Sequence, residues 1–293
     1  MLNTYPSWTR RSNKTLADWI LVYKLIIEKR NYKLKTIRNK SAVLTRLTAD
    51  LGGKRLRNIT PKMLQTFIAV YENNSKSSAA KTAFHIISDL FREAWLDGWV
   101  AYSPALPLRS PHEPVKRSRL NEQDWRTIFS VSQDLSRSYM PHAMLLALST
   151  AQRRGDIAKM RRADVFDEHL HVKQEKTGYL LALPLTLKCP ALEISLGDII
   201  ESCPGNDYLL GNKPVHAFSL SYGFKFARDT AFSSGHWEFP PSFHEQRSLA
   251  ERIYRESGID TQRLLGHRHK EMTDKYNNNR GLEWNYLKLK TGE

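Results

Sequence analysis

The stretch "AYSPALPLRSPHEPVKRSR", residues 101 to 119, places four prolines in nineteen residues. Each proline locks its own φ, removes a backbone donor and pushes the preceding residue out of the helical region, so neither a helix nor a central strand can run through it. The chain on either side must fold separately, and 293 residues suffice for two ordinary domains. The division this predicts is a helical domain over 1–106, a basic connector over 107–119 and a second domain over 120–293.

Before the connector the apolar residues recur at helical spacing. Leu16, Trp19, Ile20, Tyr23 and Ile27 predict one helix from Thr15, and Val43, Leu44, Leu47 and Leu51 a second from about Thr36, with Gly52 and Gly53 as its stop. Thr60 and Pro61 supply a cap and a first-turn proline for a third helix through Leu64, Phe67, Ile68 and Tyr71. Phe84, Ile87, Leu90, Phe91 and Trp95 mark a fourth. Past the connector, Asn121 caps "EQDWRTIFSVSQ" and "PHAMLLALSTAQR" reads as a buried helix. "HLHVKQE" and "YLLALPL" then alternate like strands around "KTG", which predicts a β-hairpin with Lys176 at its tip, and helical patterns return from about Ser242. The fold class expected is mixed α+β: an all-α four-helix domain followed by a mostly helical domain with a small antiparallel sheet.

Charge separates the two parts. Residues 1 to 119 hold 22 Lys+Arg against 8 Asp+Glu, so they carry +14 of the net +15. A basic body joined to a charge-balanced one suits a polyanionic partner, nucleic acid above all. Lys33, Lys35, Arg38 and Lys40 cluster near the start of the second helix, and Arg109, Lys116, Arg117 and Arg119 follow in the connector; these are the candidate phosphate contacts. No apolar run reaches the length of a membrane span and the N-terminus lacks the apolar stretch of a signal peptide, so a cytoplasmic protein with no membrane partner is expected. Cys189 and Cys203 form no CxxC pair and read as reduced bystanders.

One ordered set of polar residues stands out in the second part: Arg153 in "TAQRRGDI", Lys176 in "EKTG", His244 and Arg247 in "HEQR", His267 in "LLGHRH", and Tyr276, nine residues after His267. Each alone is weak, since a tyrosine after a helix is usually packing and KTG is a good turn. Together they resemble the tyrosine recombinase family, also called phage integrases, whose catalytic residues run Arg, Lys, His-x-x-Arg, His, Tyr in this order. The likeness extends through "TAQRRGDIAKMRRADV", "FHEQRSL", "LLGH" and the tail "RGLEWN".

The resemblance implies a helical core-site-binding domain and a catalytic domain that together clamp duplex DNA, with Arg153, Lys176, His244, Arg247, His267 and Tyr276 as the catalytic six. Phosphoryl transfer explains the residue types. A phenol oxygen attacking a phosphodiester builds negative charge on two non-bridging oxygens, which arginine forks match and hold at any working pH. A lysine on a hairpin tip suits protonation of the leaving 5′ oxygen. Either His244 or His267 can hydrogen-bond the phosphate, and which histidine moves the tyrosine proton stays open. Asp156 either buttresses Arg153 or a neighbouring histidine, or is a helix-surface acid. A metal site on His244, His267 and His269 lacks a matching carboxylate, so no metal, ATP or other cofactor is expected.

The partners implied are double-stranded DNA at core attachment sites and a homotetramer on that DNA, with an excisionase or a host DNA-bending protein as further candidates. The helical pattern begins by about Thr15, so the small arm-site-binding domain of phage integrases is expected to be absent. The tail residues Trp284, Tyr286, Leu287 and Leu289 alternate with polar ones and suit a strand exchanged with a neighbouring protomer. A resolvase or invertase, a type IB topoisomerase and an inactive DNA-binding relic are the competing functions.

Overall fold

A computed structural model describes residues 13–73, 77–112 and 118–277. The chain divides into two compact units, Met1–Pro114 and Val115–Glu293. The division falls within the proline-rich connector.

The first unit is built from α1 (Leu16–Lys29), α2 (Leu34–Leu51), α3 (Pro61–Asn73) and α4 (Ser77–Leu96), with a short 3-10 turn at Leu56–Asn58 between α2 and α3. Thr15 starts α1 through a capping box: its hydroxyl accepts the Asp18 N–H at 3.2 Å and the Asp18 carboxylate accepts the Thr15 N–H at 2.8 Å. Leu16, Trp19, Tyr23, Leu44, Leu47, Leu64, Ile87, Leu90 and Phe91 fill one core. Each such side chain contributes about 1.5–3 kcal/mol by leaving water. The Trp19 indole N–H donates to the Leu90 carbonyl at 3.0 Å, so even its polar edge is satisfied. Trp95 departs from the expected inward face and is 50% exposed. The buried stripe of α4 runs through Ala83, Ile87, Leu90 and Ala94, and Trp95 lies one position, about 100°, off it.

The second unit opens with α5 (Glu122–Gln133), capped by the Asn121 side chain, which accepts the Asp124 N–H at 2.7 Å. Then follow α6 (Tyr139–Thr150), buried nearly all round, the short α7 (Arg154–Ile157), and three strands, β1 (Val165–Phe166), β2 (His169–Lys173) and β3 (Leu180–Pro184). The sheet is antiparallel in the order β1-β2-β3, with Leu170 opposite Leu183 and Lys173 opposite Leu180. Period two puts Leu170, Val172 and Leu183 on the core side. The rest is helical: α8 (Leu196–Ser202), α9 (Ala217–Ala231), α10 (Glu245–Glu256), α11 (Thr261–Leu265) and α12 (Lys270–Asn277). This is the mixed architecture expected, a helical unit followed by a mostly helical one with a small antiparallel sheet. Among the described residues no helix is long and apolar enough to cross a membrane.

Candidate active site

Four structural elements bring the six polar residues together. The first is the end of α6. Ala151 turns left-handed at φ 53°, which stops the helix and leaves Arg153 at the N-terminus of α7. The Arg153 guanidinium then donates to Gln174 Oε1 at 2.8 Å. Its neighbour Arg154 is exposed and turns instead to the Ser221 hydroxyl on α9, so of the two consecutive arginines only Arg153 faces the cluster.

The second is the turn between β2 and β3. Gln174 N–H donates to the Tyr179 carbonyl at 2.9 Å, Gly178 N–H donates to the Gln174 carbonyl at 2.8 Å, and Gly178 supplies the left-handed φ of 72° that the turn needs. Lys176 stands exposed at the tip. Asp156 is buried and its Oδ1 accepts the Glu175 N–H at 2.8 Å, so this acid holds the lysine turn by its backbone.

The third is the first turn of α10, where the spacing of three places His244 and Arg247 on one face. Arg247 is 1% exposed. It donates to the Ala151 carbonyl, to the Leu265 carbonyl at 2.7 Å and to His267 Nε2 at 3.2 Å. Burial, and the positive charge of Arg153 after it, pull its pKa down to about 10, which still leaves it charged at neutral pH.

The fourth is the turn "LLGHRH" with α12. Gly266 ends α11 at φ 63°, and a Cβ there would lie 2.7 Å from the Tyr179 ring and 2.8 Å from Gln174 Nε2. Because arginine can only donate, His267 Nε2 must accept from Arg247, which puts the imidazole proton on Nδ1, where it donates to the Thr273 hydroxyl at 2.9 Å. Burial first, then Arg247, Arg153 and Lys176, lower the His267 pKa to about 4 and keep the ring neutral. Tyr276, on α12, is half-buried with its hydroxyl 3.4 Å from His244 Nε2. Its ring lies 5.4 Å from the Arg247 guanidinium and 5.4 Å from the His267 ring. Tyr276 thus lies with His244, Arg247 and His267 of its own chain, Arg153 and the turn that carries Lys176 are joined through Gln174, and His269 is exposed.

Sequence reasoning missed the residues that hold this cluster. Gln174 is fully buried: its amide N–H donates to Gln152 Oε1 at 2.8 Å and to the Leu265 carbonyl at 3.0 Å, and its oxygen also accepts the Thr177 hydroxyl at 2.8 Å. Gln152 in turn donates to the carbonyls of Thr150 and Leu264. These two amides join the end of α6, the lysine turn and the loop before His267. A glutamine inside an alternating strand pattern was the available signal, since a polar residue there must find partners.

The candidate phosphate contacts divide. Lys33, Lys35 and Arg38 are exposed around the start of α2, and Arg109 is exposed as well. Lys40 is drawn inward, with its ammonium 3.2 Å from Asp89 and 5.2 Å from the centre of the Tyr32 ring. Arg119, expected on a DNA backbone, is instead buried at 7% side-chain exposure against Glu245. Lys116, Arg117 and the tail residues Trp284, Tyr286, Leu287 and Leu289 lie outside the described residues.

A model of the Phage integrase family matches residues 118–282. The chain is 35% identical to prophage integrase IntE of Escherichia coli K12 over 94% of this chain and 78% of that protein. Among solved structures it resembles a lambda integrase(75-356) dimer bound to a COC′ core site, with TM-score 0.86 and 31% identity over 94% of this chain and 100% of that one. A lambda integrase tetramer bound to a Holliday junction matches with TM-score 0.86 and 31% identity, over 98% of this chain and 85% of that one.

Proposed function

We propose, from the premise that the chain belongs to the phage integrase family, that it is a site-specific DNA recombinase which cuts and rejoins duplex DNA for integration and excision. The observation that carries this reading is the Tyr276 hydroxyl 3.4 Å from His244 Nε2, in a cluster shared with Arg153 and Arg247. The enzyme acts on double-stranded DNA at core sites and assembles as a tetramer on a Holliday junction, as the lambda integrase structures do.

In the reaction, the Tyr276 oxygen attacks the scissile phosphorus in line, and the bond from phosphorus to the 5′ oxygen breaks. A 3′-phosphotyrosine forms and a 5′-hydroxyl leaves. Arg153 and Arg247 offer paired donors to the two non-bridging oxygens as charge builds there. His244, the histidine beside the hydroxyl, takes the phenol proton, and Lys176 on its exposed turn delivers a proton to the departing 5′ oxygen. The free 5′-hydroxyl then attacks the phosphotyrosine of a partner strand, which returns the proton to tyrosine and makes the junction. The phosphotyrosine conserves the energy of the broken bond and two guanidiniums do the work of a cation, so neither ATP nor metal is required. The reaction takes place in the cytoplasm, where the DNA is.

The test is covalent capture. A core site selected from random duplexes by binding is rebuilt with a nick beside the scissile phosphate, so that the released 5′ fragment diffuses away and the protein stays attached. Wild type forms an adduct resistant to denaturant, and Tyr276→Phe forms none. Sequence-selective binding with no adduct from the wild type refutes the reading.

A further inference from the structure

Arg119 lies near the start of the second unit, and among the described residues its guanidinium reaches three acceptors. It donates to the Ser248 hydroxyl at 2.8 Å, to the Glu245 carboxylate at 3.4 Å and to the Lys275 carbonyl at 3.1 Å. Ser248 and Glu245 sit on α10, the helix that carries His244 and Arg247. Lys275 sits on α12, and its carbonyl belongs to the peptide unit that begins Tyr276.

That carbonyl lies near the last described residues of α12, so the Arg119 N–H reaches the backbone beside the nucleophile directly. A helix of 8 residues whose one buried side chain is Thr273 is marginal by itself, so contacts like this one decide where it sits. Among the described residues, the other polar contacts of α12 apart from those of the Tyr276 side chain are Thr273 with His267 at 2.9 Å and Asp274 with Arg255 at 3.0 Å. Neither touches the peptide of Tyr276.

We infer that Arg119 is a positioning residue for the nucleophile: it ties the first turn of α10 to the end of α12 and so sets the approach of Tyr276 to His244. The inference rests on the recombinase reading above. It assigns Arg119 a role inside the catalytic unit and none on the DNA backbone. Glu245 is 1% exposed, and the guanidinium is an ion-pair partner at 3.4 Å, so deleting Arg119 alone takes a compensating charge from a buried carboxylate. Two variants avoid that. Arg119→Lys keeps the cation for Glu245 but, with a single compact head, cannot span all three acceptors. Arg119→Met combined with Glu245→Gln removes the charges together.

Three measurements are made on each full-length variant: affinity for the selected core duplex, the single-turnover rate of adduct formation on its nicked form, and amide hydrogen exchange resolved by peptide. Affinity is expected within about twofold of wild type, because phosphate contacts lie elsewhere. The cleavage rate falls on the order of 10- to 100-fold, as for a misplaced reacting group. Exchange rises over 270–277 and stays unchanged over the rest of the unit. An affinity loss that parallels the rate loss overturns the inference in favour of a phosphate contact. Exchange raised across the whole unit overturns it in favour of general scaffolding, and an unchanged cleavage rate overturns it outright. A wild type that forms no adduct refutes the recombinase reading, whereas an adduct-forming wild type with equally active variants refutes this inference alone.

Discussion

Replacing Arg247 with methionine separates what the residue costs the fold from what it does for the reaction. Burial lowers its pKa from the ordinary arginine range to about 10. The folded chain thus holds this proton less tightly than the unfolded chain does, and at about 1.4 kcal/mol per pKa unit the penalty is about 3 kcal/mol. The penalty is present in full at every pH below about 10 and fades only as the pH rises toward the unfolded arginine's own range, so it applies at pH 7. Methionine is of similar length and removes it. The same change takes donors from the Ala151 and Leu265 carbonyls; Leu265 keeps the Gln174 amide as a donor, and the Ala151 carbonyl left unpaired costs about 1–3 kcal/mol. The two effects are of similar size and opposite sign. Thermal unfolding should therefore shift by no more than about 8 °C, at about 2–4 °C per kcal/mol for a unit of this size. Adduct formation on nicked core DNA should fall on the order of 10²–10³-fold, the scale for losing a fixed donor from a site of developing charge. A variant destabilised by about 5 kcal/mol or more, on the scale of a broken buried charge network, would make Arg247 a structural strut. Cleavage within about tenfold of wild type would refute its role on the phosphate.

The neutral His267 predicts a particular acid sensitivity. Its folded pKa of about 4 lies below the ordinary 6.5, so the unfolded chain takes up a proton that the folded chain refuses; stability drops as pH falls from about 6.5 to about 4 and levels off below. His267→Gln should flatten that part of a denaturant midpoint against pH curve, and an unchanged slope would contradict the assigned state. Gly266→Ala combines a left-handed alanine with a close approach to Tyr179 and Gln174. Its cost is about 1–2 kcal/mol for the backbone and about 1–3 kcal/mol for the crowding. Because Gln174 also receives Arg153, cleavage should fall as well, and a variant as stable and as active as wild type would show that the loop can relax.

The helices and the hairpin were legible because each is written locally. Thr15 with Asp18 and Asn121 with Asp124 are caps within three residues of each other, and the apolar spacings of α1 and α3 face one core whatever they pack against. Period two around KTG likewise required a turn at Lys176. The order of the six residues proposed as catalytic, and the spacing of nine between His267 and Tyr276, could be read for the same reason: they are positions along a chain. Asp156 shows where this ends. The sequence reads it as a buttress to Arg153 or a histidine, or as a surface acid; instead it is buried and accepts the N–H of Glu175, nineteen residues away, a contact that no local pattern encodes.

By itself, then, the sequence determined the element types, the break at the prolines, the separation of charge and the order of the six polar residues of the site. Tertiary structure alone decided which cations are available and which are held. Arg119 and Arg109 belong to the same basic run, yet one is buried against Glu245 and the other is exposed. Tertiary structure also decided the protonation of His267, which follows from an arginine twenty residues away that can only donate. The physical reason is common to both. Burial and partner geometry set the energy of a charge, and both arise only when distant segments meet.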